Sequence, residues 1–294
     1  MNSLMIETRN VNRMFGCTYA VQNLNLQVRR GSIYGFLGRN GAGKTTTIKM
    51  LAGLIWPDDG EIEVCGVSPR NFTAEHRQKI GYVSEKQMLP PSMRVGKLIE
   101  FCSKLYRDWD GRLVDRIVNQ FRLPLDKKVK ILSLGGTRQL SILLALAQKP
   151  DLLLLDEPAG GLDVVARREF LDQILDLIRE DGKTVFFSSH LLGDVERVAD
   201  EIGIMDQGKL KISEPLDRLK ETVKQVRFHG FANGCETFEL PHTFRVKKDG
   251  GEVLATLRVE DENTLRQLAA KYHCQYEIRP LSLEDIFVEI VRES

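Results

Sequence analysis

Gly38-Arg39-Asn40-Gly41-Ala42-Gly43-Lys44-Thr45, with Thr46 and Thr47 behind it, is the stretch on which the fold turns. Two glycines bracket four residues and are followed by Lys and Thr, the spacing of a phosphate-binding loop. The apolar run Ile33-Tyr34-Gly35-Phe36-Leu37 in front predicts a buried strand. Behind the loop, Ile48, Met50, Leu51 and Leu54 predict a helix with a largely apolar side. Strand, loop and helix in that order are the context the spacing needs. Glycines let successive N–H groups turn inward, and the helix N-terminus adds the positive end of its dipole, so the loop attracts anions before any side chain acts. Lys44 then supplies a point charge for β- and γ-phosphates, and the Thr45 hydroxyl is placed to meet Mg²⁺.

Composition bounds what surrounds this loop. At 294 residues and 42% hydrophobic content, the chain has room for one large domain and a small one. Lys and Arg number 42 against 41 Asp and Glu, a net charge of +1. That balance gives no broad field for nucleic acid or an anionic membrane. Cys17, Cys65, Cys102, Cys235 and Cys274 are scattered and never form a CxxC pair, which predicts neither a disulfide framework nor a zinc site and points to a reducing cytoplasm. No window approaches the roughly 20 apolar residues that span a bilayer, and the N-terminus lacks a secretion-signal pattern. Any role at a membrane then requires another chain to supply the membrane part.

Outward from the loop, short strands alternate with helices. Met5 to Asn10 and Leu24 to Val28 read as strands around a turn at Phe15-Gly16-Cys17-Thr18, and Glu61 to Cys65 and Ile80 to Val83 as further strands. Phe15 either stacks on an adenine or packs into a β core. From Val95 to Arg122 the period turns helical, predicting a helical insert at about residues 88–148. A strongly apolar helix from Leu140 to Ala147 stops at Pro150, and Leu152 to Leu155 is a continuous apolar run suited to a parallel strand covered on both faces. A helix from Val164 to Glu180, a strand from Thr184 to Phe187 and a hairpin about Gln207-Gly208 complete an α/β sheet with its ligand edge at the strand carboxyl ends. Beyond Thr222 come short strands at Val226 to Phe231, Phe244 to Lys248, Val253 to Val259 and Tyr276 to Ile278, with helices at Glu262 to Tyr272 and Leu283 to Val291. The predicted fold is therefore α/β: a P-loop NTPase sheet with a helical insert over residues 1–222, and a small C-terminal α/β appendage over 223–294. His229, His242 and His273 in the appendage lack metal-ligand spacing and read as structural or solvated, as Lys127-Lys128 and Lys247-Lys248 read as solvated faces.

Kinases, small GTPases and many ATPases share such a loop, so other residues must decide the class. Asp156, at the end of the buried Leu152–Leu155 run, is placed to hold Mg²⁺ opposite Thr45. Glu157 follows as a second carboxylate, positioned to polarise an attacking water. His190, at the end of the next strand, is placed to donate to a γ-phosphate or to orient that water.

Together these motifs resemble the nucleotide-binding subunit of an ABC transporter, over about Leu4 to Leu219. Gly38 to Thr45 matches the first nucleotide motif, Leu152 to Glu157 the second, Gly161-Leu162-Asp163 the loop after it, and His190 the switch histidine. Leu132-Ser133-Leu134-Gly135-Gly136 occupies the signature position, and Ser282-Leu283-Glu284-Asp285-Ile286-Phe287 is similar to tails of bacterial exporter ATPases. The resemblance implies ATP and Mg²⁺ as ligands, and ATP held on Lys44 and Thr45 while Ser133 and the Gly135 backbone of a second subunit close over it. It also implies a separate integral membrane permease, a homodimer or paralogous pair, and a cytoplasmic position at the inner face of the cell membrane. Two departures stand out. Leu134 and Gly136 replace the usual third-position Gly and fifth-position Gln of the signature, and Glu85 stands where a Gln normally meets Mg²⁺; its carboxylate either binds the metal or faces solvent. The competing readings are a soluble ABC-type ATPase acting on ribosomes or DNA, against which the near-neutral charge counts, and a weakly hydrolysing nucleotide switch.

Overall fold

The computed structural model describes residues 4–86, 89–180, 182–231, 240 and 243–291. Met88, at the start of the expected insert, and Cys235 and His242 lie outside them. The chain divides into two compact units, Met1–Ser213 and Glu214–Ser294. That division precedes residue 222 because the helix Leu216–Thr222 packs on the strand immediately after it.

In the first unit, β1 (Leu4–Phe15) and β2 (Thr18–Arg29) pair antiparallel. Both run longer than the sequence pattern predicts, since bulges break the period-two alternation; Asn10 and Asn23 take positive φ values of 51 and 49. β3 (Ile33–Gly38) leads into the phosphate loop and α1 (Lys44–Leu51), and β4 (Asp59–Val64) pairs with the other edge of β1. After α2 (Ala74–Gln78) and β5 (Ile80–Val83) comes the helical insert. The helical pattern from Val95 to Arg122 resolves into α3 (Val95–Ser103) and α4 (Gly111–Phe121). Asp110 restarts the helix by accepting from the Leu113 N–H at 2.9 Å, satisfying one of its orphan donors. The third helix, α5 (Leu134–Ala147), begins six residues before the predicted Leu140, because Ser133 caps it through the Gly136 N–H at 3.1 Å.

The main sheet gathers the remaining strands. β6 (Leu152–Asp156), α6 (Val164–Glu180), β7 (Thr184–Ser189), α7 (Leu192–Val198), β8 (Glu201–Asp206) and β9 (Lys209–Pro215) follow in the chain. The sheet order is β5-β6-β7-β3-β8-β9. Every residue of β3, β6 and β7 is buried, as expected for parallel strands covered on both faces. At its centre the Tyr34 and Phe186 rings stack at 5.3 Å, with Phe36 tilted against Phe186 at 5.1 Å. Register carries the functional consequence: Asp156 pairs with Ser188, and Leu37 with Ser189. Three neighbouring strands thus end level, and the loops leaving them share one edge.

The second unit opens with α8 (Leu216–Thr222) and β10 (Val223–His229). β11 (Thr243–Asp249), β12 (Glu252–Arg258), α9 (Glu262–Tyr272), β13 (Gln275–Pro280) and α10 (Leu283–Val291) follow. Its antiparallel sheet has the order β11-β12-β10-β13 around a core of Val226, Phe228, Val253, Ala255, Leu257 and Leu265. Asp261 caps α9 through the Asn263 N–H, and Arg258 grips Glu214 with two hydrogen bonds of 2.5 and 2.9 Å. Among the described residues no helix is long and apolar enough to cross a membrane.

Candidate functional site

The phosphate loop is shaped by close backbone approach. Gly43 sits at φ 108, and a Cβ there would lie 2.2 Å from the Ala20 carbonyl oxygen, so no other residue fits without moving β2. Lys44 is buried and donates to the Gly38 carbonyl at 2.8 Å, folding its ammonium back over the loop. Helix α1 carries no acidic residue in its first turn and no side-chain cap, which leaves its N-terminal amides facing the loop for an anion.

Around this loop lies a cleft of ≈ 490 Å³. Arg39, Asn40, Gly41, Ala42, Gly43, Lys44, Thr45 and Thr46 line it, joined by Ala20, Glu85, Leu134, Arg138, Glu157, Gly160, Gly161 and His190. The acidic pair sits at the end of β6 as the sheet register requires. Thr45 Oγ1 donates to Asp156 Oδ1 at 3.0 Å. Glu157 Oε1 lies 3.3 Å from Lys44 Nζ, and Glu157 Oε2 lies 2.8 Å from His190 Nδ1. Burial pushes the Asp156 carboxyl above the ordinary carboxylate range, against the Ser188 and Thr45 hydroxyls, which favour its ionised form. Glu85 is exposed at the cleft wall. Thr45, Asp156 and Glu85 are hard oxygen donors of the kind Mg²⁺ selects, and the hydroxyl–carboxylate contact shows two of them side by side.

Other predicted residues stand apart from the cleft. Phe15 does not line it and does not pack into a β core either: the residue is 52% exposed, with the Arg13 guanidinium 4.8 Å from its ring centroid. Ser133 and Gly135 do not line it either, whereas Leu134 does, its Cδ2 held close to Gly161. Asp163 caps α6 by accepting from the Val165 and Ala166 N–H groups.

Two residues escaped the sequence reading. Ser188 is fully buried; its Oγ donates to Asp156 Oδ1 at 2.8 Å and accepts from the Glu157 N–H at 2.9 Å. Its signal was the polar end of β7, where alternation turns one serine toward β6. Arg138 is 4% exposed and donates from Nη1 to the carbonyls of Glu157 at 2.8 Å and Pro158 at 3.0 Å. Nothing in the local pattern of α5 marks it.

Comparison with known proteins decides the class. A family model described as ABC transporter matches residues 21–160. The Nod factor export ATP-binding protein I of Burkholderia orbicola is 31% identical over 299 residues, covering 99% of this chain and 98% of the relative. This chain belongs to the ABC transporter family. A bacitracin transport ATP-binding protein of Bacillus licheniformis is 37% identical over 221 residues, covering 74% of this ABC chain and 72% of that relative. Among solved structures, the ATP-binding subunit of an ABC transporter covers 74% of this chain and 92% of its own, at 25% identity and TM-score 0.66. A dimeric ATP-binding cassette in a post-hydrolysis state with ADP and Pi aligns at 25% identity and TM-score 0.64, covering 72% of this chain and 99% of its own. The ABC chain is thus an ATP-binding cassette whose reaction is ATP hydrolysis.

Proposed function

We propose that this chain powers a bacterial exporter: two ATP-binding subunits, identical or paralogous, sandwich ATP and drive a separate integral membrane permease from its cytoplasmic face. Relatives that cover almost the whole chain and are named for export support that reading. The absence of a membrane-crossing helix among the described residues fits a permease supplied by another chain. Balanced charge argues against a nucleic-acid partner.

The observation that carries the mechanism is the Lys44–Glu157–His190 chain of contacts at the ends of three adjacent parallel strands. The loop amides and Lys44 bind the β- and γ-phosphates. Thr45 and Asp156, with Glu85 at the rim, would hold Mg²⁺, which supplies charge neutralisation on the phosphate oxygens when bound. Glu157 accepts a proton from water as the water oxygen bonds to the γ-phosphorus and the bond from that phosphorus to the β-bridging oxygen breaks. His190, donating to Glu157 through Nδ1, orients that carboxylate, and with both ring nitrogens protonated it donates from Nε2 to the γ-phosphate. Ser133 and the amide of Gly135 close over the nucleotide of the opposite subunit; their place outside their own cleft supports that division of labour. Leu134, between them, instead lines its own cleft as an apolar contact beside Gly161. Phe15, largely exposed with the Arg13 guanidinium over its ring, offers the adenine a stacking partner. The second unit, Glu214–Ser294, which lacks a phosphate loop, serves as an accessory module.

Glu157→Gln tests the reading. ATP turnover should fall by about 10²-fold or more while nucleotide binding persists, and ATP should then drive the variant into dimers visible by light scattering. Equal turnover of variant and wild type, or monomers throughout catalysis, would overturn it.

A further inference from the structure

The backbone of Glu157 is strained. At φ 47 it occupies the left-handed region, which a non-glycine residue holds only when its surroundings insist. Three groups do the insisting. Ser188 Oγ accepts from its N–H at 2.9 Å, the Gly160 N–H donates to its carbonyl at 3.1 Å, and Arg138 Nη1 donates to the same carbonyl at 2.8 Å.

Arg138 differs from the other two in origin. Ser188 belongs to the neighbouring strand and Gly160 to the turn itself, whereas Arg138 comes from α5, the helix that Ser133 caps. It crosses to the turn nearly out of contact with water, spends its charge on two consecutive carbonyls, and leaves Nε buried and unpartnered. Glu85 and Glu157 attract its charge, yet neither carboxylate takes its Nη1 hydrogen bonds, which both go to carbonyls of the Glu157 turn, so the side chain is committed to holding that turn. Arg138 also faces the cleft, beside Glu157 and across from Glu85.

Resting on the reading of Glu157 as proton acceptor, we infer that Arg138 is a positioning residue for hydrolysis. It clamps the Glu157–Pro158 carbonyls so that the left-handed turn aims the carboxylate at Lys44 and His190. Because the clamp is anchored on α5, the helix carrying the signature residues also holds the proton acceptor of its own subunit. A displacement of the start of α5 is therefore passed to Glu157 through one side chain.

The test uses the full chain carrying Arg138→Met, Arg138→Lys, Glu157→Gln, and Arg138→Met combined with Glu157→Gln. A misaimed acceptor costs on the order of 10²-fold in rate, so Arg138→Met should lower kcat by about that factor and leave the KM for ATP within threefold. Arg138→Lys, which keeps the charge and one donor, should recover part of the loss. In the combined variant the two losses should not multiply, because both act through one carboxylate. Should Arg138→Met fail to fold, judged by loss of its tryptophan fluorescence transition, Arg138→Lys alone should still show the kcat loss at unchanged KM. Turnover of Arg138→Met or Arg138→Lys within twofold of wild type, or losses that multiply, would overturn the inference. If Glu157→Gln itself keeps full turnover, the parent reading has failed instead.

Discussion

Replacing Ser188 by Ala should damage stability and catalysis together. The substitution removes one oxygen from a fully buried site, so its cost comes from hydrogen bonds rather than packing. Without Oγ, the Glu157 N–H loses its acceptor at 2.9 Å and remains buried, at a cost of about 1–3 kcal/mol. Asp156 Oδ1 loses a donor at 2.8 Å, a bond to a charged group worth about 1.5–3 kcal/mol. The two share one atom and overlap, so a net loss of about 3 kcal/mol is expected. For a unit of this size each kcal/mol lowers the midpoint by about 2–4 °C, which gives about 6–12 °C. The assay can be confined to the right unit, because Trp56 and Trp109 both lie before Ser213 and are the two tryptophans of the chain. Thermal unfolding followed by tryptophan fluorescence therefore reads the first unit. Activity carries a second signature. The Ser188 hydroxyl favours ionised Asp156, so removing it lifts further a carboxyl that burial has already raised, and the acid limb of the ATPase profile should move to higher pH. A midpoint shift under 2 °C with an unmoved acid limb would refute the argument.

Asp156→Asn should separate stability from function. Thr45 and Ser188 both donate to Oδ1, which an amide oxygen replaces, while a buried charge disappears. The folded carboxyl titrates above its unfolded value, so ionisation costs stability as pH rises between the two; at neutral pH the variant should melt at or above wild type, yet its turnover should fall by about 10²-fold or more. Gly43→Ala places a methyl 2.2 Å from the Ala20 carbonyl at φ 108, and affinity for a fluorescent ATP analogue should drop at least about tenfold. Glu85→Gln keeps an oxygen donor at the cleft wall and should retain ATPase activity; complete loss in a phosphate-release assay would show the position misjudged.

What the sequence made legible was periodic or contiguous. The phosphate loop, the buried run of β6 and the helices α9 and α10 stand at their predicted positions because each is written in neighbouring residues. The start of α5 was hidden because Gly135 and Gly136 carry no hydrophobic period ahead of the apolar run from Leu140, although Ser133 turns that same spot into a capped helix. The full lengths of β1 and β2 were hidden by the bulges near Asn10 and Asn23, which interrupt alternation without ending the pairing. Ser188 and Arg138 were invisible as functional residues for a different reason. Each meets the Glu157 backbone from 31 or 19 positions away, and such contacts follow no sequence period.

The ion pair between Lys44 and Glu157 has one more implication. An arriving triphosphate competes for that ammonium, and in drawing it off it uncovers the carboxylate beside it. On the proposed role of Glu157, loading and arming become a single event, because the cation that covers the carboxylate in a vacant subunit is the one that welcomes the nucleotide.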